Sequence, residues 1–251
     1  MRFTPEQLRR RHSVRVYDGR RLSDADADAV RKILDEATES QPGLRFTLFA
    51  GDGAPLSGLR ASYGMLKNVA NYIAVVVDMT TPHAMERAGY FAQMAVMRMT
   101  VAGLATCYVG GTFRHDAVGL SIPQGCQMPF IIAAGYPAAK SQTMVSGLMM
   151  RIAHRHDRTA AGFYVPTDGM TLAEAEECFP ALGAGLEGLV SAPSHLNRQP
   201  VRIHMADGAL RAFVDNPDSQ SLIDLGIGKF NFAAAAGGRW EWGNDALLFW
   251  E

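Results

Sequence analysis

The pattern that most constrains this chain is an order of elements that runs once and then starts again. A helical stretch over 33–39, the pair Gln41-Pro42 and an apolar strand over 44–48 recur as helical 189–190, Gln199-Pro200 and a strand over 201–205, with Arg45 and Arg202 in equivalent places. The repeat is short, and chance recurrence is the alternative to duplication. Around it, helices alternate with short strands. Thr4 caps a helix that starts at Pro5, with Gln7 completing a capping box, and Ser23 caps a second helix striped by Val30, Ile33, Leu34 and Ala37. Strands are expected at 44–49, 72–78, 105–109, 129–135, 201–206 and 245–250. Helices are expected from Ala84 to the Gly103-Leu104 stop, near 142–153, over 172–190 with a break at Pro180, and over 219–236. Such an interspersed order predicts a layered α+β fold, and 251 residues are ample for a buried core.

Composition removes several function classes. A net charge of -1 without a basic patch argues against nucleic acid as a partner. The most apolar helix carries Glu86, Arg87, Gln93 and Arg98, which lipid would penalise, so it reads as a core helix and the chain as one without a membrane span. Met94, Met97 and Met99 on it read as packing. Three scattered cysteines, Cys107, Cys126 and Cys178, suggest a reducing compartment without a disulfide framework, and the polar residues 1–6 argue against a secretory signal, so a cytoplasmic setting is expected.

Two segments carry candidate chemistry. In Arg11-His12-Ser13-Val14-Arg15, an extended backbone sends alternate side chains to one side, gathering two guanidinium groups and a hydroxyl of the kind that grips a phosphate. A solvated basic strand is the plainer alternative. In 191–200, Ser-Ala-Pro-Ser-His-Leu-Asn-Arg-Gln-Pro, two prolines stiffen a loop dense in small polar groups that could face a planar ligand; a surface turn is the alternative.

Both segments resemble motifs of the nitroreductase family of flavin enzymes. So do 101–111 (Val-Ala-Gly-Leu-Ala-Thr-Cys-Tyr-Val-Gly-Gly), 129–137 and the run from Asp224 through the alanine-rich helix after it. The resemblance covers roughly 8–138 and 185–250. It implies a nitroreductase-like fold, FMN as cofactor, NADH or NADPH as electron donor, and a nitroaromatic, quinone or related small molecule as acceptor. It assigns the FMN phosphate to Arg11, Ser13 and Arg15, with His12 in the same segment. Pro193, Ser194 and Asn197 approach the ring, and Val109, Gly110 and Gly111 offer backbone amides to it. A late basic segment in the family adds phosphate contacts, and here Lys140, Arg155 and Arg158 are the candidates. No side chain is required as a catalytic acid or base.

The departures from the family pattern are informative. The family forms an intertwined homodimer with two flavin sites. In this chain the first copy of the Pro-Ser-x-x-Asn loop is degraded to Ala37-Thr38-Glu39-Ser40-Gln41-Pro42, while nothing upstream of the second copy resembles Arg-x-Ser-x-Arg. The chain therefore resembles the subfamily in which two fused pseudo-symmetric halves, here 1–165 and a shorter 166–251, imitate the dimer. One flavin site per chain and a monomer are the expectations. A flavin-binding carrier, store or sensor is the alternative to an enzyme.

Three further signals are set aside. Gly183-Ala184-Gly185-Leu186-Glu187-Gly188 matches the dinucleotide fingerprint in letters but follows a helical stretch, so close helix packing is the expectation. His154-Arg155-His156-Asp157 lacks a second ligand cluster for a metal. Cys107 has apolar flanks, which predict a buried thiol.

Overall fold

The structure is a computed structural model that describes residues 1–58, 64–139 and 158–250. The expected helix over 142–153, the 154–157 cluster, Lys140 and Arg155 lie outside the described residues.

Along the chain, α1 (Pro5–Arg10) and α2 (Asp24–Glu39) precede β1 (Leu44–Ala50) and β2 (Asn71–Asp78). Then come α3 (Ala84–Val101), β3 (Ala105–Gly110) and β4 (Cys126–Gly135). Further on are α4 (Leu172–Cys178), α5 (Leu182–Val190), β5 (Arg202–Ala206), β6 (Ala209–Phe213), α6 (Ser219–Ala236), β7 (Arg239–Trp240) and β8 (Ala246–Phe249). The capping box at Thr4 and Gln7 and the Ser23 cap form as their sequence demands. The 172–190 stretch is two helices, because Pro180 cannot continue a hydrogen-bonded turn.

These elements pack as two compact units built from interleaved segments. One comprises His12–Ala84 and Ala95–Ile152, the other Met1–Arg11, Met85–Met94 and Ala153–Glu251. They are called here the first and second unit. The packing division records which segments share a core. The 165/166 boundary expected from the repeat concerns ancestry, which packing does not address.

The first unit is built on an antiparallel sheet of order β1-β2-β4-β3. Central β2 and β4 are nearly continuous apolar runs buried along their length, as the middle of a covered sheet requires. Helix α2 buries Ala27, Val30, Ile33, Leu34 and Ala37, the stripe that its 3.6-residue period gives. Buried Asn71 stitches the unit together. Its Oδ1 accepts from Leu22 N (2.9 Å) and Gly51 N (3.1 Å), and its Nδ2 donates to the carbonyls of Arg20 (3.1 Å) and Ala134 (3.3 Å).

The second unit holds an antiparallel sheet of order β5-β6-β8-β7 and the helices α5 and α6. The strand β6 follows β5 through Asp207-Gly208, both at positive φ (52° and 73°), the geometry of a tight hairpin turn. Sequence reasoning missed β6 and the two-residue β7. Glycines let α5 and α6 approach closely. A Cβ on Gly185 would strike the Phe232 ring, and one on Gly188 would crowd the Asn231 carbonyl. Gly185 and Gly188 of the fingerprint-like run are thus packing residues, as expected, and among the described residues the element directly before them is the helix α4 rather than a strand.

Each unit's sheet has the same topology. Two strands, an 18-residue helix and two more strands fold into the order first-second-fourth-third, with α3 central in one run and α6 in the other. Within the second unit, residues 85–94 of α3 meet α6 through a reciprocal contact. A Cβ on Gly89 would overlap the Ile223 carbonyl, and a Cβ on Gly226 would overlap the Glu86 carbonyl. Ile223 precedes Gly226 by the same interval as Glu86 precedes Gly89, so this crossing is isologous, like the interface of a twofold dimer. Buried polar groups complete it. Gln93 Nε2 donates to Asn231 Oδ1 (2.9 Å), and Lys229 Nζ donates to Glu86 Oε1 (2.5 Å), Gly243 O (2.8 Å) and Glu241 O (3.0 Å).

Candidate functional site

The Arg11–Arg15 segment is extended, as its alternation requires. Arg11 closes α1 with extended dihedrals (φ −69°, ψ 118°). Ser13 then forms a parallel bridge to Thr106, with Val14 N donating to Thr106 O (3.0 Å). Downstream, Lys67 N donates to Arg15 O (2.9 Å) and Tyr17 N to Lys67 O (3.0 Å). Val14 and Val16 are buried, Ser13 and Arg15 half-buried and His12 exposed. No carboxylate pairs with Arg15 among the described residues. Tyr17 anchors the segment through its hydroxyl, which donates to Ala133 O (3.2 Å), and burial pushes its phenol well above the usual value.

Strand parity connects this segment with the 109–111 amides. Beside β4, β3 has one open edge, and Thr106 turns its carbonyl to that edge to receive Val14. Main-chain groups alternate along a strand, so Tyr108 and Gly110 turn theirs to the same edge, whereas Val109 turns toward β4, where it pairs with Ile131. Gly110 is therefore the member of the trio whose amide faces the edge that Ser13 occupies. Gly111 follows at φ +69°, where the chain leaves the strand.

The 191–200 loop lies in the second unit and is strained. Leu196, Asn197 and Gln199 all have positive φ (51°, 54° and 47°), rare for residues other than glycine and costly for leucine. Surrounding bonds hold it. Asn197 N donates to Ser194 O (3.1 Å), Arg198 N to His195 O (3.1 Å) and Gln199 N to Ser194 Oγ (2.9 Å). Arg158 reaches the same loop: its main-chain N–H donates to Gln199 Oε1 (2.8 Å) and its Nε to Gln199 O (3.2 Å). Pro193, Ser194 and Asn197 are half-buried, while Leu196 stands 73% exposed at the tip.

Sequence reasoning missed Asp224 as part of this loop. From α6, both its carboxylate oxygens accept the His195 N–H, at 3.0 and 3.1 Å. Burial pushes its carboxyl up to about 7, against the opposing pull of that N–H. The available signal was an acid within an otherwise apolar helical stretch. Asp224 also lines a cavity of about 270 Å³ together with His195, Arg198, Arg202, Asp215 and Asp218.

The degraded counterpart in the first unit is short. The chain turns from α2 into β1 across 40–43, with Gln41 N donating to Thr38 O (3.0 Å) and Leu44 N to Gln41 O (3.2 Å). Gln41 is buried, as Gln199 is, each before a proline. The Gln-Pro pair is common to both places, while the first unit has no counterpart of the Pro193–Asn197 stretch between its helix and its strand.

Two four-stranded antiparallel sheets with long central helices define the nitroreductase class of α+β fold. Over its full length the chain resembles a crystal structure described as a putative nitroreductase from Thermotoga maritima MSB8, at 20% identity and TM-score 0.59, covering 99% of this chain and 93% of that one. Residues 4–236 match the family described as "Putative TM nitroreductase", and the chain belongs to that family. Two partial similarities are to an FMN-dependent nitroreductase from Clostridium difficile R20291 (19% identity, TM-score 0.43, 56% of this chain and 92% of that one) and a nitroreductase family protein from Clostridium difficile 630 (19%, 0.46, 63% and 94%). No curated protein matches the chain. Among the described residues, no helix is long and apolar enough to cross a membrane.

Proposed function

We propose that this protein is an FMN-dependent oxidoreductase that takes electrons from NADH or NADPH and passes them to a nitroaromatic, quinone or related small acceptor, with one flavin per chain. The observation that carries the reading is the β3 edge. Ser13 is bridged to Thr106 there, Arg15 follows without a carboxylate partner among the described residues, and Gly110 turns its amide to the same side. A hydroxyl and a guanidinium suit a phosphate dianion, and a main-chain N–H suits an acceptor atom on a flavin ring. Family membership supports the same reading.

FMN, when bound, supplies two-electron hydride chemistry. The chain's own groups bind and orient. Arg11, Ser13 and Arg15 hold the phosphate, and Gly110, flanked by Val109 and Gly111, offers an amide to the ring. Pro193, Ser194 and Asn197 form the rigid ring-facing loop. Arg158 braces that loop through Gln199. No side chain is given an acid or base role.

Purification and reduction test this directly. The expected protein is yellow, releases FMN on denaturation, is bleached by NADH or NADPH without oxygen, and is recoloured by an added nitroaromatic or quinone. A yellow protein that neither nicotinamide bleaches is a flavin carrier instead. A colourless protein that takes up no added FMN overturns the proposal.

A further inference from the structure

Asp224 is an anomaly in its helix. It is 5% exposed, and among the described residues its carboxylate meets one hydrogen-bond donor, the His195 N–H. A buried carboxylate can accept several bonds, and leaving it so sparsely served costs the fold free energy. The donor it serves directly precedes a segment with three non-glycine residues at positive φ, Leu196, Asn197 and Gln199. His195 follows Ser194 and precedes Leu196, the exposed leucine at φ +51°. Local bonds at Asn197, Arg198 and Gln199 close the loop on itself, Arg158 holds its Gln199 end, and the bond from His195 to Asp224 fastens its other end to α6.

We infer that Asp224 is the positioning residue that sets the 193–199 loop in its ligand-ready conformation, and that it loosens the loop when its carboxyl takes up a proton. This deepens the flavin reading, on which it rests for the identity of the ligand. A charge-assisted hydrogen bond is roughly twice as strong as a neutral one, so the carboxylate holds His195 more firmly than the acid does. The charged and titratable groups around it are Asp218 and Arg198, which act on it in opposite directions, with Asp215, Arg202 and the His195 imidazole on the shared cavity. The imidazole is held below its usual value by burial and then by Arg198.

Hydrogen exchange tests this in the full chain without flavin, comparing wild type with Asp224→Asn, whose amide oxygen imitates the protonated acid. At about pH 8.5, residues 194–199 should exchange about tenfold faster in the variant, and at about pH 5.5 the two should converge. Residues 182–190 of α5 serve as the internal standard. Equal exchange at both pH values, or the same gap at both, overturns the inference. Should the variant not fold, the wild type alone decides: loop protection relative to α5 must fall as the pH drops through about 7. Flavin affinity supplies a second readout, with a wild-type advantage of about tenfold at the higher pH that vanishes at the lower. Because FMN's own phosphate titrates equally in both proteins, their ratio isolates Asp224. If neither protein binds FMN at any pH, the flavin reading fails while the exchange comparison still decides the role of Asp224.

Discussion

Gly89 and Gly226 hold reciprocal places in one helix crossing: each presents its bare Cα to a carbonyl on the other helix, Ile223 for Gly89 and Glu86 for Gly226. Any side chain at either position would overlap backbone, which cannot swing aside as a flexible side chain can. Gly89→Ala and Gly226→Ala should therefore each destabilise the protein by about 3 kcal/mol or more, read from denaturant unfolding. Gly162→Ala, whose Cβ would make ordinary contacts at 3.5 Å or beyond, should stay within about 0.5 kcal/mol. Similar losses at all three positions would show that the crossing is not the constraint.

The Lys229–Glu86 pair is buried on both sides, at 0% and 1% side-chain exposure. Its desolvation is offset because the ammonium's three protons reach Glu86, Gly243 and Glu241, while Glu86 Oε2 accepts Gly243 N (2.7 Å). Lys229→Met removes the cation and leaves a buried carboxylate, so a loss of about 3–5 kcal/mol is expected. Lys229→Met with Glu86→Leu should recover part of it, and a double-mutant cycle measures the coupling. Additive losses would mean that the pair does not act as a unit.

Asp224 gives the stability a sign with pH. Its folded value of about 7 lies above the 3.8 of an ordinary aspartate, so the folded chain keeps a proton that the unfolded chain releases. Its contribution to stability is fully present below about pH 4 and is lost as the pH rises through about 7, a change on the order of a few kcal/mol. Asp224→Asn should flatten this slope in unfolding experiments across that range. An unchanged slope would assign it to other groups. The ionised form that costs the fold stability is the form that holds the 193–199 loop best, a trade expected at a functional site.

Arg15→Glu sets a negative charge where the phosphate is proposed to lie. Flavin affinity should fall at least about 100-fold by fluorescence titration, with unfolding little changed because Arg15 is half-buried and lacks a carboxylate partner among the described residues. Ser13→Ala, which removes one hydroxyl, should cost about tenfold. Undiminished binding by Arg15→Glu would remove the phosphate assignment.

The sequence revealed most where one local force dominates. The helix over 219–236 matches α6 end to end, because Asp218 caps it and Gly237 stops it at φ 97°. Pro180 announced the break between α4 and α5. The Asp207-Gly208 turn carried a hairpin signal that went unread, and with it β6. The two residues of β7 are too few to show any period. At the candidate site, the Arg-x-Ser-x-Arg alternation foretold the extended segment beside Thr106. The selection of Gly110 over Val109 depends on pairing with β4, and the hold of Asp224 on His195 spans 29 positions, so neither is written in a local pattern. The strain at Leu196 is likewise invisible in a residue type that usually avoids positive φ.

One flavin per chain is the stoichiometry that the proposed function requires. Flavin stoichiometry tests it most directly, by titrating FMN into flavin-stripped protein and counting bound flavin per chain. One FMN per chain is expected, with the affinity lowered at least about 100-fold by Arg15→Glu; two per chain, or none, would overturn the single-site proposal.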